Sequence, residues 1–217
     1  MDEKILIIED DIAEAIYAQA DAARAGYRLW AVATNLAEGL DRMADADLVL
    51  SDLFFPSGQD SVDAHVQRFL PFYERHKERR FALDSGAQIV LRAVEACAEL
   101  FGMTPTQYVE EFMSKVETPQ STLKAAREAV RGVKDPEQYE RFLEIERGIR
   151  QGTQLPLGIV AQERARELGK PIVIVTSTYH HDDAFEAVRH LVTVPYKDTL
   201  VEGRKDWAGG IELLTKR

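Results

Sequence analysis

Along the first fifty residues, short apolar runs alternate with stretches in which apolar residues recur every three or four positions. Ile5-Leu6-Ile7-Ile8 is a continuous apolar run, as expected of a central parallel strand covered on both faces, and it stops at Glu9-Asp10-Asp11. Ile12, Ala15, Ile16, Ala20 and Ala23 then mark one face of a helix that Gly26 closes. A second strand is predicted over 27–33. Asn35 is placed to cap a helix running through Met43. Asp47-Leu48-Val49-Leu50-Ser51-Asp52 reads as a third strand, again apolar and again closed by a carboxylate.

From about 59 to 155 the strand-like runs vanish. Thr104-Pro105, Thr118-Pro119 and Asp135-Pro136 each set an N-cap residue before a proline at the first helical position, where the missing N–H costs no bond. Behind them Tyr108, Val109, Phe112, Met113 and Val116, then Leu123, Ala126 and Val130, then Tyr139, Phe142, Ile145 and Ile149 follow at helical spacing. Two earlier helices are predicted, over 62–80 with Pro71 as a kink and over 87–101 between Asp84-Ser85 and Gly102. After 155 the first pattern resumes with a helix over 157–168 closed by Gly169. Next come the strand Pro171-Ile172-Val173-Ile174-Val175-Thr176, a helix over 183–190, a fifth strand over 191–194 and a terminal helix from 206. Residues 1–58 and 156–217 thus alternate strand and helix five times, which predicts one discontinuous domain with a parallel sheet wrapped by helices. Residues 59–155 form an all-helical insertion of about five amphipathic helices, read either as a self-contained bundle or as a docking or dimerisation module.

Charge sharpens this division. The 37 acidic residues against 27 basic ones give a net charge of −10, which a polyphosphate backbone would repel, so nucleic acid is not expected as a partner. The insertion holds 16 acids and 14 bases, so the acid excess belongs to the sheet-bearing part. Cys97 is the only cysteine, which excludes an intrachain disulfide and any multi-cysteine metal site and fits a reducing compartment; its place on the apolar side of a helix reads as core. The apolar run at the N-terminus spans four residues after an acidic start, so neither a signal peptide nor a membrane span is expected, and the location expected is cytoplasmic.

Ligands of open parallel sheets bind outside the carboxyl ends of the strands. Glu9, Asp10 and Asp52 terminate two strands, and in the strand order 2-1-3-4-5 they meet at one edge, where mutual repulsion calls for a hard divalent cation. Magnesium suits a few carboxylates, a backbone carbonyl and waters. The alternative is that these acids merely finish strands and solvate loops.

Lys4-Ile-Leu-Ile-Ile-Glu9-Asp10-Asp11, Asp47-Leu-Val-Leu-Ser-Asp52-Leu-Phe-Phe-Pro56 and Pro171-Ile-Val-Ile-Val-Thr176-Ser177 resemble the first, third and fourth strands of response-regulator receiver domains. The resemblance covers residues 1–58 and about 156–217 and implies a flavodoxin-like (CheY-like) five-stranded sheet of order 2-1-3-4-5. It implies that Asp52 is the phosphoacceptor, taking its phosphoryl group from a histidine kinase or phosphotransfer protein and passing a signal to a downstream protein; the insertion, read as a dimerisation module, gives a homodimer as one form. It further implies that Asp10 and, through water, Glu9 hold magnesium together with Asp52 and the backbone carbonyl of Phe54. Thr176 would bind the phosphoryl group through its hydroxyl; otherwise it is a β-branched residue finishing a strand.

The fifth strand departs from this family. Receivers carry a lysine immediately before a proline, but Val194 precedes Pro195 here, and Leu191 stands where an aromatic switch residue is usual. Lys197 is the nearest cation that could reach back. Tyr179-His180-His181-Asp182-Asp183 after the fourth strand reads as a loop and helix cap, or as histidines that stand in for the lysine. Two further functions therefore stay open: a pseudo-receiver that binds without phosphotransfer, and a metal-dependent hydrolase with His180 or His181 as base.

Overall fold

Lys4–Ile8 (β1), Arg28–Ala33 (β2), Leu48–Ser51 (β3), Ile172–Val175 (β4) and Tyr196–Lys197 (β5) form one parallel sheet in the order β2-β1-β3-β4-β5 in the computed structural model, which describes residues 3–58, 62–133, 135–178 and 182–215. This is a flavodoxin-like α/β fold that carries a helical insertion between β3 and β4. The chain divides into two compact units, one made of Met1–Tyr73 with Ile145–Arg217 and the other of Glu74–Glu144. The expected boundaries at 58 and 156 lie outside these points. The division falls inside the helices Val62–Arg80 (α3) and Pro136–Arg150 (α7).

In the sheet-bearing unit the continuous apolar runs have the cause anticipated, cover on both faces. Ile5, Ile7, Leu48, Leu50, Val173 and Val175 point to one side, where Ala18 and Ala22 of the helix Ile12–Arg24 (α1) and Trp207, Ile211 and Leu214 of the C-terminal helix Trp207–Thr215 pack on them. Ile8 points the other way and packs on Gly39 of the helix Leu36–Met43 (α2), where a Cβ would stand 2.8 Å from Ile8 Cδ1. Asp11 caps α1 and Asn35 caps α2 through side-chain oxygens that accept backbone N–H groups. Gly26 (φ 83°) and Gly169 (φ 63°) take the left-handed backbone expected where helices stop.

The unit 74–144 is all-helical. Ser85–Leu100 (α4) packs on Gln120–Arg131 (α6), and between them lie the short helix Pro105–Gln107 (α5) and the π-helical turn Tyr108–Met113. Thr104 caps α5 with a capping box closed by Gln107. Thr118 does not cap; Pro119 itself precedes α6. Phe81 meets Tyr139 edge-on at 4.7 Å and Phe142 at 5.7 Å, and Cys97 is half-buried.

Three differences from the expected elements lie near the C-terminus. The fifth strand is not at 191–194 but at β5, because the buried Gln162 amide of the helix Gly158–Glu167 (α8) holds the earlier segment as a loop. Its Nε2 donates to Leu191 O (2.6 Å) and its Oε1 accepts the Thr193 N–H (3.1 Å). The helix expected over 183–190 ends at Val188 (α9, Asp183–Val188) in a 3₁₀ turn, Arg189–Leu191. Beyond β5 the chain makes an unforeseen antiparallel hairpin, Leu200–Val201 (β6) with Arg204–Lys205 (β7), before the C-terminal helix, α10. No helix among the described residues is long and apolar enough to cross a membrane.

Candidate metal and phosphoryl site

Parallel pairing of β1 with β3 sets Ile8 opposite Ser51, so the residues that follow them leave the sheet at one level. The Asp52 N–H donates to Ile8 O (2.8 Å) and the Glu9 N–H to Ala33 O (2.9 Å), which extends the ladder by one residue on each strand. Glu9 Oε1 accepts the Asp11 N–H (3.0 Å), and Asp52 Oδ1 accepts the Leu53 N–H (2.7 Å). Glu9 and Asp52 are 1% and 5% exposed, whereas Asp10 is exposed. One carboxylate oxygen of each of the three lies within 4.8 Å of the others, the convergence expected from the strand order.

A cation already answers them, and it comes from the hairpin. Lys205, 6% exposed, places Nζ 2.5 Å from Glu9 Oε2 and 2.8 Å from Asp52 Oδ2. Burial, and next the Asp52 charge, push the Glu9 carboxyl up to about 8, with Lys205 acting in the opposite sense. Burial also raises Asp52, against the Lys205 ammonium and the Leu53 N–H. Burial disfavours the Lys205 ammonium, yet the adjoining Asp52 and Glu9 carboxylates outweigh it and hold that group above its ordinary value. Glu9 thus resists ionisation, and the Lys205 ammonium lies between the two buried carboxyl groups.

These residues line a cleft of about 490 Å³, together with Phe54, Thr176, Glu14 and Leu200. Thr176, buried at the end of β4, accepts the Thr178 N–H on its hydroxyl (3.2 Å) and gives its own N–H to Lys197 O (2.8 Å). Compared with family models, curated proteins and solved structures, the chain matches none. What the site can do follows from its own geometry.

Glu9, Asp10, Asp52, Phe54 and Thr176 thus share one cleft. Lys197 does not line it: its ammonium pairs with Asp206 at 3.3 Å. His180 and His181 lie outside the described residues. Lys205 is the side chain of this cleft that sequence reasoning missed; it is brought there by a turn, Glu202 (φ 54°) and Gly203 (φ 80°), between the paired segments Leu200–Val201 and Arg204–Lys205. The donor set fits a hard divalent ion: three carboxylates converge, two are buried, and Lys205 offsets only part of their charge.

The floor under Asp52 is tight. A Cβ on Gly158 would stand 2.5 Å from Asp52 O and 2.9 Å from Leu53 Cα, while the Gly158 N–H donates to Leu53 O at 3.0 Å. Both obstacles are backbone, so Gly158→Ala is expected to cost about 1–3 kcal/mol, read as a shifted urea midpoint with the slope unchanged. An unshifted midpoint would contradict this packing.

Proposed function

We propose that the chain is an atypical receiver: a phosphoacceptor at Asp52 that works with magnesium and signals through protein contacts. The observation that carries this reading is the Lys205 ammonium, 2.8 Å from Asp52 Oδ2 in the cleft that Thr176 also lines. It supplies the cation whose absence before Pro195 argues against phosphotransfer. An Asp52 carboxylate oxygen attacks the phosphorus of a phosphohistidine on a histidine kinase or phosphotransfer protein. The P–N bond breaks, the imidazole leaves with the electron pair and takes up a proton, and an aspartyl phosphate remains. Lys205 stays with the oxygens of the transferred group, and the Thr176 hydroxyl has a proton to donate to them. Glu9, Asp10, Asp52 and the carbonyl of Phe54 would hold magnesium, which when bound offsets phosphoryl charge.

The test is incubation with acetyl phosphate and magnesium, followed by intact-mass measurement. A single phosphoryl adduct on the wild type and none on Asp52→Asn is the expected result; an adduct that persists in Asp52→Asn rejects the assignment. One observation favours a second reading. Because Lys205 already bridges both buried carboxylates, the chain is also built like a pseudo-receiver, for which neither protein would be labelled while magnesium still binds.

A further inference from the structure

Glu14 lies one helical turn beyond Asp10 on α1, and none of the roles above uses it. Its carboxylate faces the hairpin and accepts three contacts: the Lys205 main-chain N–H at 3.3 Å on each oxygen, and the Trp207 indole Nε1–H at 2.8 Å on Oε2. Lys205 and Trp207 flank Asp206, which caps the first turn of α10 by accepting the Gly209 N–H (2.9 Å) and pairs with Lys197. Between the β6–β7 turn and α10, Glu14 is thus a carboxylate from another element that fixes the Lys205 backbone. A lysine stem is long and flexible, and confining its ammonium to a buried pocket depends on fixing the Cα from which it starts. Arg204 lies over the Tyr17 ring at 4.7 Å, so the neighbouring β7 residue also rests on α1.

We infer that Glu14 is a positioning residue that delivers the Lys205 ammonium to Glu9 and Asp52, and so sets how strongly this internal cation competes with a divalent ion for the same carboxylates. The inference rests on the reading of the cleft as a cation and phosphoryl site, but not on phosphotransfer taking place. It makes Glu14 act through Lys205 and gives the effect a sign. Were Glu14 itself a cation ligand at the cleft wall, its removal would weaken metal binding. As the anchor of a competing ammonium, its removal strengthens metal binding.

Manganese binding, followed by calorimetry and by the fluorescence of Trp207, decides this on the full chain. Lys205→Met is expected to tighten the manganese Kd by about tenfold, since it removes the ammonium from the carboxylates; Glu14→Ala is expected to tighten it too, but by less, since it frees the ammonium while taking a negative charge from the cleft wall. In the Lys205→Met background, Glu14→Ala should add nothing beyond about twofold, because coupled positions are not additive. Glu14→Gln keeps an acceptor for the indole and the amide, and should stay near the wild-type Kd; this arm decides the matter even should Lys205→Met not fold. Weaker manganese binding in Glu14→Ala, additive effects in the double variant, or Glu14→Gln behaving as Glu14→Ala would each overturn the inference. Acetyl phosphate labelling, run in parallel, separates the two ideas: coupled manganese affinities without any adduct uphold the role of Glu14 and discard phosphotransfer, whereas normal labelling with additive affinities does the reverse.

Discussion

Lys205→Met is expected to destabilise the sheet-bearing unit by about 3–5 kcal/mol at neutral to mildly alkaline pH, the cost of leaving buried carboxylates without their cation. Methionine fills most of the lysine stem's volume, so the packing change is small and the loss is electrostatic. Its pH dependence follows from the raised carboxyls. With the ammonium gone, Glu9 and Asp52 rise further above the values they take in the unfolded chain, 4.5 and 3.8. A group raised on folding contributes stability that is complete below its unfolded value and is lost as pH climbs through its folded one. The variant's deficit should therefore be small near pH 5, where protons stand in for the ammonium, and grow through pH 8. Trp30 and Trp207 both belong to this unit, so tryptophan fluorescence in urea follows it without signal from residues 74–144. A deficit that is equal at pH 5 and pH 8 would show that Lys205 stabilises by packing, not by charge.

The wild type carries a milder version of the same dependence. Glu9 sits at about 8 in the folded protein against 4.5 in the open chain, so its contribution is full in mild acid and declines between those values. The carboxylate trio exists at a cost in stability, and the hairpin lysine limits that cost. Buried acids held away from their ordinary ionisation set this cleft apart as a place for chemistry.

How far the sequence could be read depended on the range of the forces involved. β1, β3 and β4 were legible because burial on both faces demands unbroken apolar runs, and Glu9, Asp10 and Asp52 followed from them, since a strand end fixes where the next side chain goes. The start of α2 was legible from its cap Asn35, the end of α1 from Gly26, α4 from Asp84 and Gly102, and the start of α5 from Thr104-Pro105, although the helix expected behind that cap gives way to a π-helical turn over Tyr108–Met113. The segment 191–194 misled because its residues are apolar or β-branched as in a strand, while the groups that decide its conformation, the two ends of the Gln162 amide, lie some thirty residues earlier. The hairpin escaped for a local reason. A two-residue turn with both central residues at positive φ is signalled by Asn-Gly or Asp-Gly, and here it is Glu202-Gly203, in which glutamate takes a conformation that side chains seldom adopt. Without the hairpin, Lys197 is the nearest cation along the sequence, but it lies in β5 and pairs with Asp206. The distance between the two lysines in sequence is short, but a turn reverses the chain between them, and no periodicity encodes that reversal.

Trp207→Ala is the second large effect expected, about 3–5 kcal/mol from deleting a wholly buried aromatic side chain. The indole sits at the start of α10 among Ile5, Ile7, Leu50 and Val175, so its loss opens a cavity under the strands whose ends carry Glu9 and Asp52. It also strips Glu14 of its shortest hydrogen bond and removes the ring that lies 5.7 Å from Lys205 Nζ. Trp207→Phe retains most of the core contact but not the N–H, so the two variants divide the effect. The part common to both belongs to the lost N–H and the smaller ring, and the excess in Trp207→Ala belongs to the cavity. Urea unfolding followed through Trp30, which is partly exposed and remains in both variants, measures each against the wild type. A Trp207→Ala loss below about 1 kcal/mol would mean that α10 repacks freely over the sheet; the tight approach of Gly210, where a Cβ would lie 2.5 Å from Val175 Cγ2, argues that it cannot, because the helix already rests directly on β4 and has no slack to move inward.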